Sequence, residues 1–373
     1  MHKHVYFLIL FWAGQLAFSY AQTAASEASA LPLLEADFVL GTTFYGSASI
    51  PERTSPEYLL LKKAMDRGLA GFTYYVDWAD LEPEADVYTL EGFTRTLDDL
   101  QRLGLAPFVN ITVGDSGGYN LPDDLIASGL ALDASSVTER FGKLLDRLVP
   151  ILSKRGGFYL GVGNEVGEYL DINVAERDAY VQFVHAARLR VQQTNPQLAV
   201  GVTLTPGDVR FGSKTFQALK EVVDVIPFNY SPIKPDFHVL PVAAIAEDFR
   251  EVVAAYGEGV ILIQELTCPS ANTMSASERW QRDCFAQLFE EIRQMPVVRF
   301  ASVFTYQDFD AETCVTIRDA IFEQELDDLP DAVAQRLTDY LCYLGIVRPD
   351  GEPKPAYRIM LRELELHGTV SPD

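Results

Sequence analysis

Glu165 and Glu265 stand where carboxylates are out of place. Glu165 ends the run GFYLGVGNE and Glu265 ends the run GVILIQEL. Both runs are short, apolar and β-rich, whereas Glu is a poor strand former and costly to hide. Two carboxylates facing each other across a cleft suit cleavage of a glycosidic bond. One must be protonated to help the leaving oxygen depart, and the other ionised to attack the anomeric carbon or activate water. The charge on one raises the pKa of its neighbour, so a shared cleft can separate the two roles. Taken singly, each glutamate reads more readily as a strand-end carboxylate in a structural ion pair.

Other chemistries lack parts. His2 and His4 fall in a leader, leaving His185, His238 and His367, with two of these in helical stretches. That is thin for a zinc hydrolase or a Ser-His-Asp triad. No HExxH, GxSxG or Walker A sequence occurs, so no metal and no cofactor is implied, and carboxylate-driven hydrolysis needs none.

The elements that must position the glutamates alternate. The β-rich runs DFVLGTTFYG, LAGFTYYVDW, LAPFVNITVG, GFYLGVGNE, LAVGVTLTP, VDVIPFNYSP, GVILIQEL and VRFASVFTY are each followed by a helical stretch. The last of these stretches is LPDAVAQRLTDYLCYLG. Apolar residues in the helices recur at a period near 3.6, as in the stripe Phe141, Leu144, Leu145 and Leu148. Eight strand–helix units in order predict an α/β protein, a single (β/α)8 barrel. A doubly wound open sheet usually carries a Gly-rich phosphate turn after its first strand, and GTTFYGSASIPE has no GxGxxG. Barrels of this kind build their sites at the C-terminal ends of the strands. Glu165 ends the fourth run and Glu265 the seventh, so both are expected in one cleft.

The chain resembles the large clan of retaining (β/α)8 glycoside hydrolases known as clan A, or the 4/7 superfamily. Members carry an acid/base Glu, usually preceded by Asn, at the end of strand four, and a nucleophilic Glu at the end of strand seven. GVGNEVGEY matches the first at Asn164 and Glu165, and ILIQELTCPS matches the second at Glu265. VDVIPFNYSPI resembles the sixth strand, whose Tyr often hydrogen-bonds the nucleophile; Tyr230 takes that place. VDWADLEPEADVYTLEGFTRTLDDLQRLGLAPFV and GIVRPDGEPKPAY resemble the segment between strands two and three and the closing stretch. The resemblance covers most of residues 38–360. It implies an enzyme, a retaining glycosidase of β-linked oligo- or polysaccharides, with Glu165 as acid/base and Glu265 as nucleophile. The chain departs from the pattern twice. GFTYYVDW lacks the Arg many members carry on strand two, and strand eight offers Phe304 and Tyr306 in place of a Trp. The departures motivate an alternative, a catalytically inactive carbohydrate-binding or scaffold barrel.

Substrate contacts are expected from Asn164, which could bind a sugar 2-hydroxyl, and from Asn229 beside Tyr230. Tyr75, Trp78, Tyr169 and Tyr306 could stack on pyranose faces, though core packing explains each as well. Asn120 and Tyr119, in the long loop GDSGGYNLPDD, are candidate rim contacts.

The N-terminus has a short basic start, the apolar stretch VYFLILFWAGQLAF and small residues up to Ala21. It reads as a secretory signal over 1–21 followed by a flexible leader over 22–35, with the barrel over 36–373. A single N-terminal anchor is the competing reading. The expected localisation is therefore secreted or periplasmic, with no stable membrane insertion after cleavage. A net charge of −23 disfavours nucleic acid and anionic membrane surfaces as partners. Four cysteines in an exported chain permit disulfides. Cys268 and Cys314, on the loops leaving strands seven and eight, are expected to pair. Cys284 and Cys342, on helices, are expected to stay thiols.

Overall fold

The computed structural model of the protein describes residues 38–44, 53–322 and 330–368. The expected signal and leader lie outside the described residues. Eight parallel strands run in order around the core: β1 (Val39–Thr42), β2 (Gly71–Asp77), β3 (Ala106–Thr112), β4 (Tyr159–Asn164), β5 (Ala199–Thr203), β6 (Phe228–Tyr230), β7 (Ile261–Leu266) and β8 (Val298–Val303). β1 to β5 pair in sequence order, as do β6 to β8, and β1 pairs with β8. Isolated parallel bridges, Gly201 to Val225 and Leu204 to Phe228, join β5 to β6 and complete the circle. The eight expected runs are the eight strands, and the fold is a (β/α)8 barrel.

The strands are covered on both faces, which is why they read as continuous apolar runs. All five residues of β5 are buried. The outer ring holds α1 (Pro56–Met65), α2 (Glu91–Leu103), α3 (Ser135–Lys154), α4 (Val174–Thr194), α5 (Lys214–Lys220), α6 (Val242–Tyr256) and α7 (Glu278–Gln294). Local chemistry sets their ends. Ser55 caps α1 by accepting from the Tyr58 amide, with Pro56 in its first turn, and Ser277 caps α7 by accepting from Trp280. Gly104 ends α2 in the left-handed conformation. The predicted stripe of α3, Phe141, Leu144, Leu145 and Leu148, is buried.

The last part of the chain departs from expectation. Between β8 and the end, it forms α8 (Ala311–Phe322), α9 (Asp331–Cys342) and α10 (Pro355–Gly368). The helix that closes the ring is α10, which packs on α7 and α1; α9, expected as the eighth ring helix, packs on α8 and on the turn Asn272–Met274 after β7. α8 and α9 are thus an insertion at the mouth end of the barrel. Among the described residues no helix is long and apolar enough to cross a membrane.

The cysteine pairing differs as well. Cys268 pairs with Cys284 of α7, and Cys314 with Cys342, at Cα separations of 6.2 and 5.7 Å. The expected Cys268–Cys314 bond fails because Cys314 lies on α8 rather than on a loop. From α8 it bonds to Cys342 of α9, while Cys268 bonds to Cys284 of α7. Neither Cys284 nor Cys342 is a thiol.

Candidate active site

Both glutamates occur where a strand departs from regular register. Between Gly161 and Asn164 of β4 the pairing with β5 shifts, as does the pairing of β7 with β6 between Ile263 and Glu265. Such bulges re-aim side chains and are common beside active sites. Gly163, at φ +136°, takes part in the first; a Cβ there would meet the Tyr180 hydroxyl at 2.2 Å. Glu165 itself holds φ +56°, a left-handed conformation unusual for a side chain of this size. It is anchored by its amide, which donates to the Thr203 carbonyl at 2.7 Å.

A buried amide network lies beneath the pair. Gln264, fully buried, accepts from Asn110 at 2.8 Å and from the Thr203 hydroxyl at 2.6 Å, and donates to Asn164 Oδ1 at 2.7 Å. Asn110 also donates to the Gly163 carbonyl at 3.0 Å. Strands β3, β4, β5 and β7 are therefore tied together just below the carboxylates. Asn229 of β6 extends the network by donating to Asn164 Oδ1 at 3.2 Å and to Glu165 Oε1 at 2.8 Å. Across the mouth, the Tyr75 hydroxyl of β2 donates to Glu265 Oε1 at 2.6 Å.

Both carboxyls are pushed up from their ordinary range. Burial is the main cause at Glu165, aided by the charges of Asp208 and Asp115 and opposed by the Asn229 hydrogen bond. Burial and then the charge on Glu165 push Glu265 up to about 8, while Tyr75 and Gln264 favour its ionised form. Burial therefore favours the neutral form of both carboxyls, and the charge on Glu165 opposes ionisation of Glu265, so the pair resists carrying two charges. Asp77, at the end of β2, is raised to about 6 by burial and by Asp80 and Asp115.

The expected substrate contacts separate into two groups. Asn164, Asn229 and Tyr75 converge on the two glutamates. Tyr75 holds Glu265 rather than standing as a free platform. Tyr230, the expected partner of Glu265, points away. Asn229 and Tyr230 alternate along β6, so with Asn229 inside, Tyr230 faces α6. There it donates to Asp248 at 2.7 Å and packs edge-on against Phe249. Trp78 is fully buried between Phe141 of α3 and Phe183 of α4, and its indole donates to Glu82 at 2.9 Å. Glu82 in turn meets Arg140 at 3.1 Å, so the W-x-x-x-E-P stretch is a structural brace. Tyr306 is fully buried against Phe44. Asn120 donates to Asp115 at 2.9 Å and braces its own loop. Tyr119 and Tyr169 lie edge to face, and both hydroxyls are bound to Glu176.

Sequence reasoning passed over Asn110, Thr203 and Gln264. Their signal was a polar residue inside each of the runs FVNIT, VGVTL and ILIQEL, where a buried polar side chain demands a partner.

No family model matches the sequence, and no curated protein matches it. The fold, in contrast, has many counterparts among solved structures. One is the exo-beta-1,4-mannosidase Op5Man5 from Opitutaceae bacterium strain TAV5, with TM-score 0.62 and 16% identity over 88% of this chain. The chain spans only 59% of the length of that protein. A second is GH5_18 from Bifidobacterium longum subsp. longum ATCC 55813 in complex with Manb1-4GlcNAc, with TM-score 0.67, 13% identity, and 90% and 79% of the two chains covered. A family 39 glycoside hydrolase from Bacteroides cellulosilyticus WH2 follows at TM-score 0.58 and 13% identity, with 90% and 65% covered. The barrel of this chain is the one these glycoside hydrolases carry, in agreement with the fold that the clan A resemblance implies.

Proposed function

We propose that this chain is an exported retaining β-glycosidase, with Glu165 as general acid/base and Glu265 as nucleophile. The observation that carries the reading is the pair of strand-end glutamates at one mouth, each held by its own donor, Asn229 on Glu165 and Tyr75 on Glu265. In the reactive state the proton sits on Glu165, and Glu265, which the Tyr75 hydroxyl favours as a carboxylate, is ionised; Glu165 gives its proton to the glycosidic oxygen while Glu265 attacks the anomeric carbon. A covalent glycosyl-enzyme forms and the leaving sugar departs. Glu165, now ionised, takes a proton from water, which displaces Glu265 and regenerates the site. Tyr75 positions Glu265 and favours its charged form, and Asn164 and Asn229 orient Glu165. The pairing of all four cysteines supports an oxidising compartment, hence export.

Because similar structures include a β-mannosidase and a complex with a β-mannosyl disaccharide, β-mannosides are the first substrates to try. The test is a hydrolysis screen of 4-nitrophenyl β-glycosides and β-linked oligosaccharides with the full secreted chain, Glu165→Gln and Glu265→Ala. Turnover should vanish in both variants. Azide should rescue Glu265→Ala, giving a glycosyl azide of inverted anomeric configuration. Full activity in Glu265→Ala would overturn the assignment, and binding of sugars with no turnover would favour the inactive carbohydrate-binding barrel.

A further inference from the structure

The departure at strand eight leaves a question about what forms the apolar wall of the sugar site. Phe304 and Tyr306 are 5% and 0% exposed, so the end of β8 presents little ring surface to a ligand. The insertion between β8 and α10 supplies an alternative. α9 lies against the loops leaving β6 and β7: Arg336 donates to the Asp236 carbonyl at 2.6 Å, and Ser270 donates through its amide and hydroxyl to the Tyr343 carbonyl at 2.9 and 3.0 Å. The Cys314–Cys342 bond ties the C-terminal end of α9 to α8.

This docking brings Tyr340 to the mouth. Its hydroxyl lies 3.2 Å from Thr267 Oγ1. Thr267 follows Glu265 by two residues and continues the ladder, its amide donating a hydrogen bond to the Tyr230 carbonyl at 3.0 Å. One strand repeat places Thr267 on the face of Glu265, roughly 7 Å along. On its other side the Tyr340 ring meets Phe237, with centroids 6.0 Å apart. The residue is half-buried and packs, with Phe237, against the cluster of Val239, Ala271, Met274 and Ala276. Burial raises its hydroxyl, the bonds to Ser231 and Thr267 oppose this, and the charges of Glu265 and Glu165 add to the rise.

We propose that Tyr340 is a substrate-positioning residue, an aromatic wall for a pyranose ring bound at the two glutamates. It is supplied by the α8–α9 insertion in place of a ring at the end of strand eight. The C–H face of a pyranose matches an aromatic face, and the neutral hydroxyl can exchange its Thr267 bond for one to a sugar hydroxyl. This inference rests on the glycosidase reading of the same site.

The test compares full-length wild type with Tyr340→Phe and Tyr340→Ala. Steady-state kinetics use whichever β-glycoside the wild type turns over best. Calorimetric binding of the matching disaccharide is measured in the Glu165→Gln background. Tyr340→Ala should raise KM and the dissociation constant about tenfold, with a smaller change in kcat, and Tyr340→Phe should recover most of the loss. A brace for the loops alone would instead lower Tm without moving KM. Unchanged KM and binding in Tyr340→Ala, or an equal loss in Tyr340→Phe, would overturn the proposal. Should Tyr340→Ala fail to fold, Tyr340→Leu decides it, since an apolar side chain fills the gap without offering an aromatic face. Sugar binding without turnover would defeat the glycosidase reading while the binding arm still judged Tyr340. Neither binding nor turnover in the wild type would defeat both.

Discussion

Replacing Glu265 by Gln should make this protein more stable in alkaline solution. Burial, and after it the charge on Glu165, raise the Glu265 carboxyl from 4.5 to about 8. The unfolded chain releases this proton near the ordinary value, while the folded chain keeps it to about 8. The stability linked to the raised group is therefore fully present below about 4.5 and is lost as pH rises through about 8. At about 1.4 kcal/mol per pH unit, the whole window corresponds to at most ~5 kcal/mol. The carboxyl is half-buried at an open mouth, so water screens part of this, and ~1–3 kcal/mol is the expected gain at pH 9. Gln keeps the shape and still accepts from Tyr75, so the change isolates the charge. For a chain of this size the gain corresponds to roughly 1–4 °C in Tm. Thermal melts of wild type and Glu265→Gln from pH 4 to 9 should coincide near pH 4.5 and diverge above it, with the variant higher. Parallel curves, or a variant that melts lower at pH 9, would refute the claim that ionising Glu265 is costly in this mouth.

Asn229→Ala removes the amide donor of Glu165, so kcat/KM on a β-glycoside should fall about 10–100-fold and the alkaline limb of its pH profile should move up. Lys354→Met strands the buried Asp308, its partner at 2.6 Å, and should cost ~3–5 kcal/mol in urea unfolding. Adding Asp308→Asn should recover most of that. Non-reducing peptide mapping should yield the Cys268–Cys284 and Cys314–Cys342 peptides and no thiol that alkylates. Replacing Cys314 and Cys342 together by Ser should cost ~3–4 kcal/mol by loop-closure entropy, as closing a 28-residue separation implies.

Much of the barrel was written locally. A strand covered on both faces must be apolar throughout, and a ring helix must carry a 3.6-residue stripe, so β1 to β8 and α1 to α7 could be located from short windows. The two glutamates were legible for the same reason: a carboxylate at the end of a buried run violates the local rule, and strand number places it at one end of the barrel. The closing helices were not legible in this way. The stripe of α9 resembles that of any ring helix, and only its docking partners distinguish an insertion from the eighth helix of the ring.

What surrounds the glutamates was decided by tertiary structure. Tyr74 and Tyr75 are the same residue type one position apart, yet one stacks on Phe93 outside the barrel and the other holds Glu265 inside it. The same alternation sends Asn229 inward and Tyr230 out to Asp248. A shift of one residue in register exchanges such neighbours, and the register here is displaced by bulges in β4 and β7 that no local pattern announces. The disulfides obey the same logic, because pairing follows which surfaces meet rather than which segments hold the cysteines. From its own residues, then, the chain determined that it would close a barrel of eight strands with two carboxylates at one end. Through-space packing decided which tyrosine, which amide and which loops those carboxylates would face, because those contacts join residues far apart in sequence.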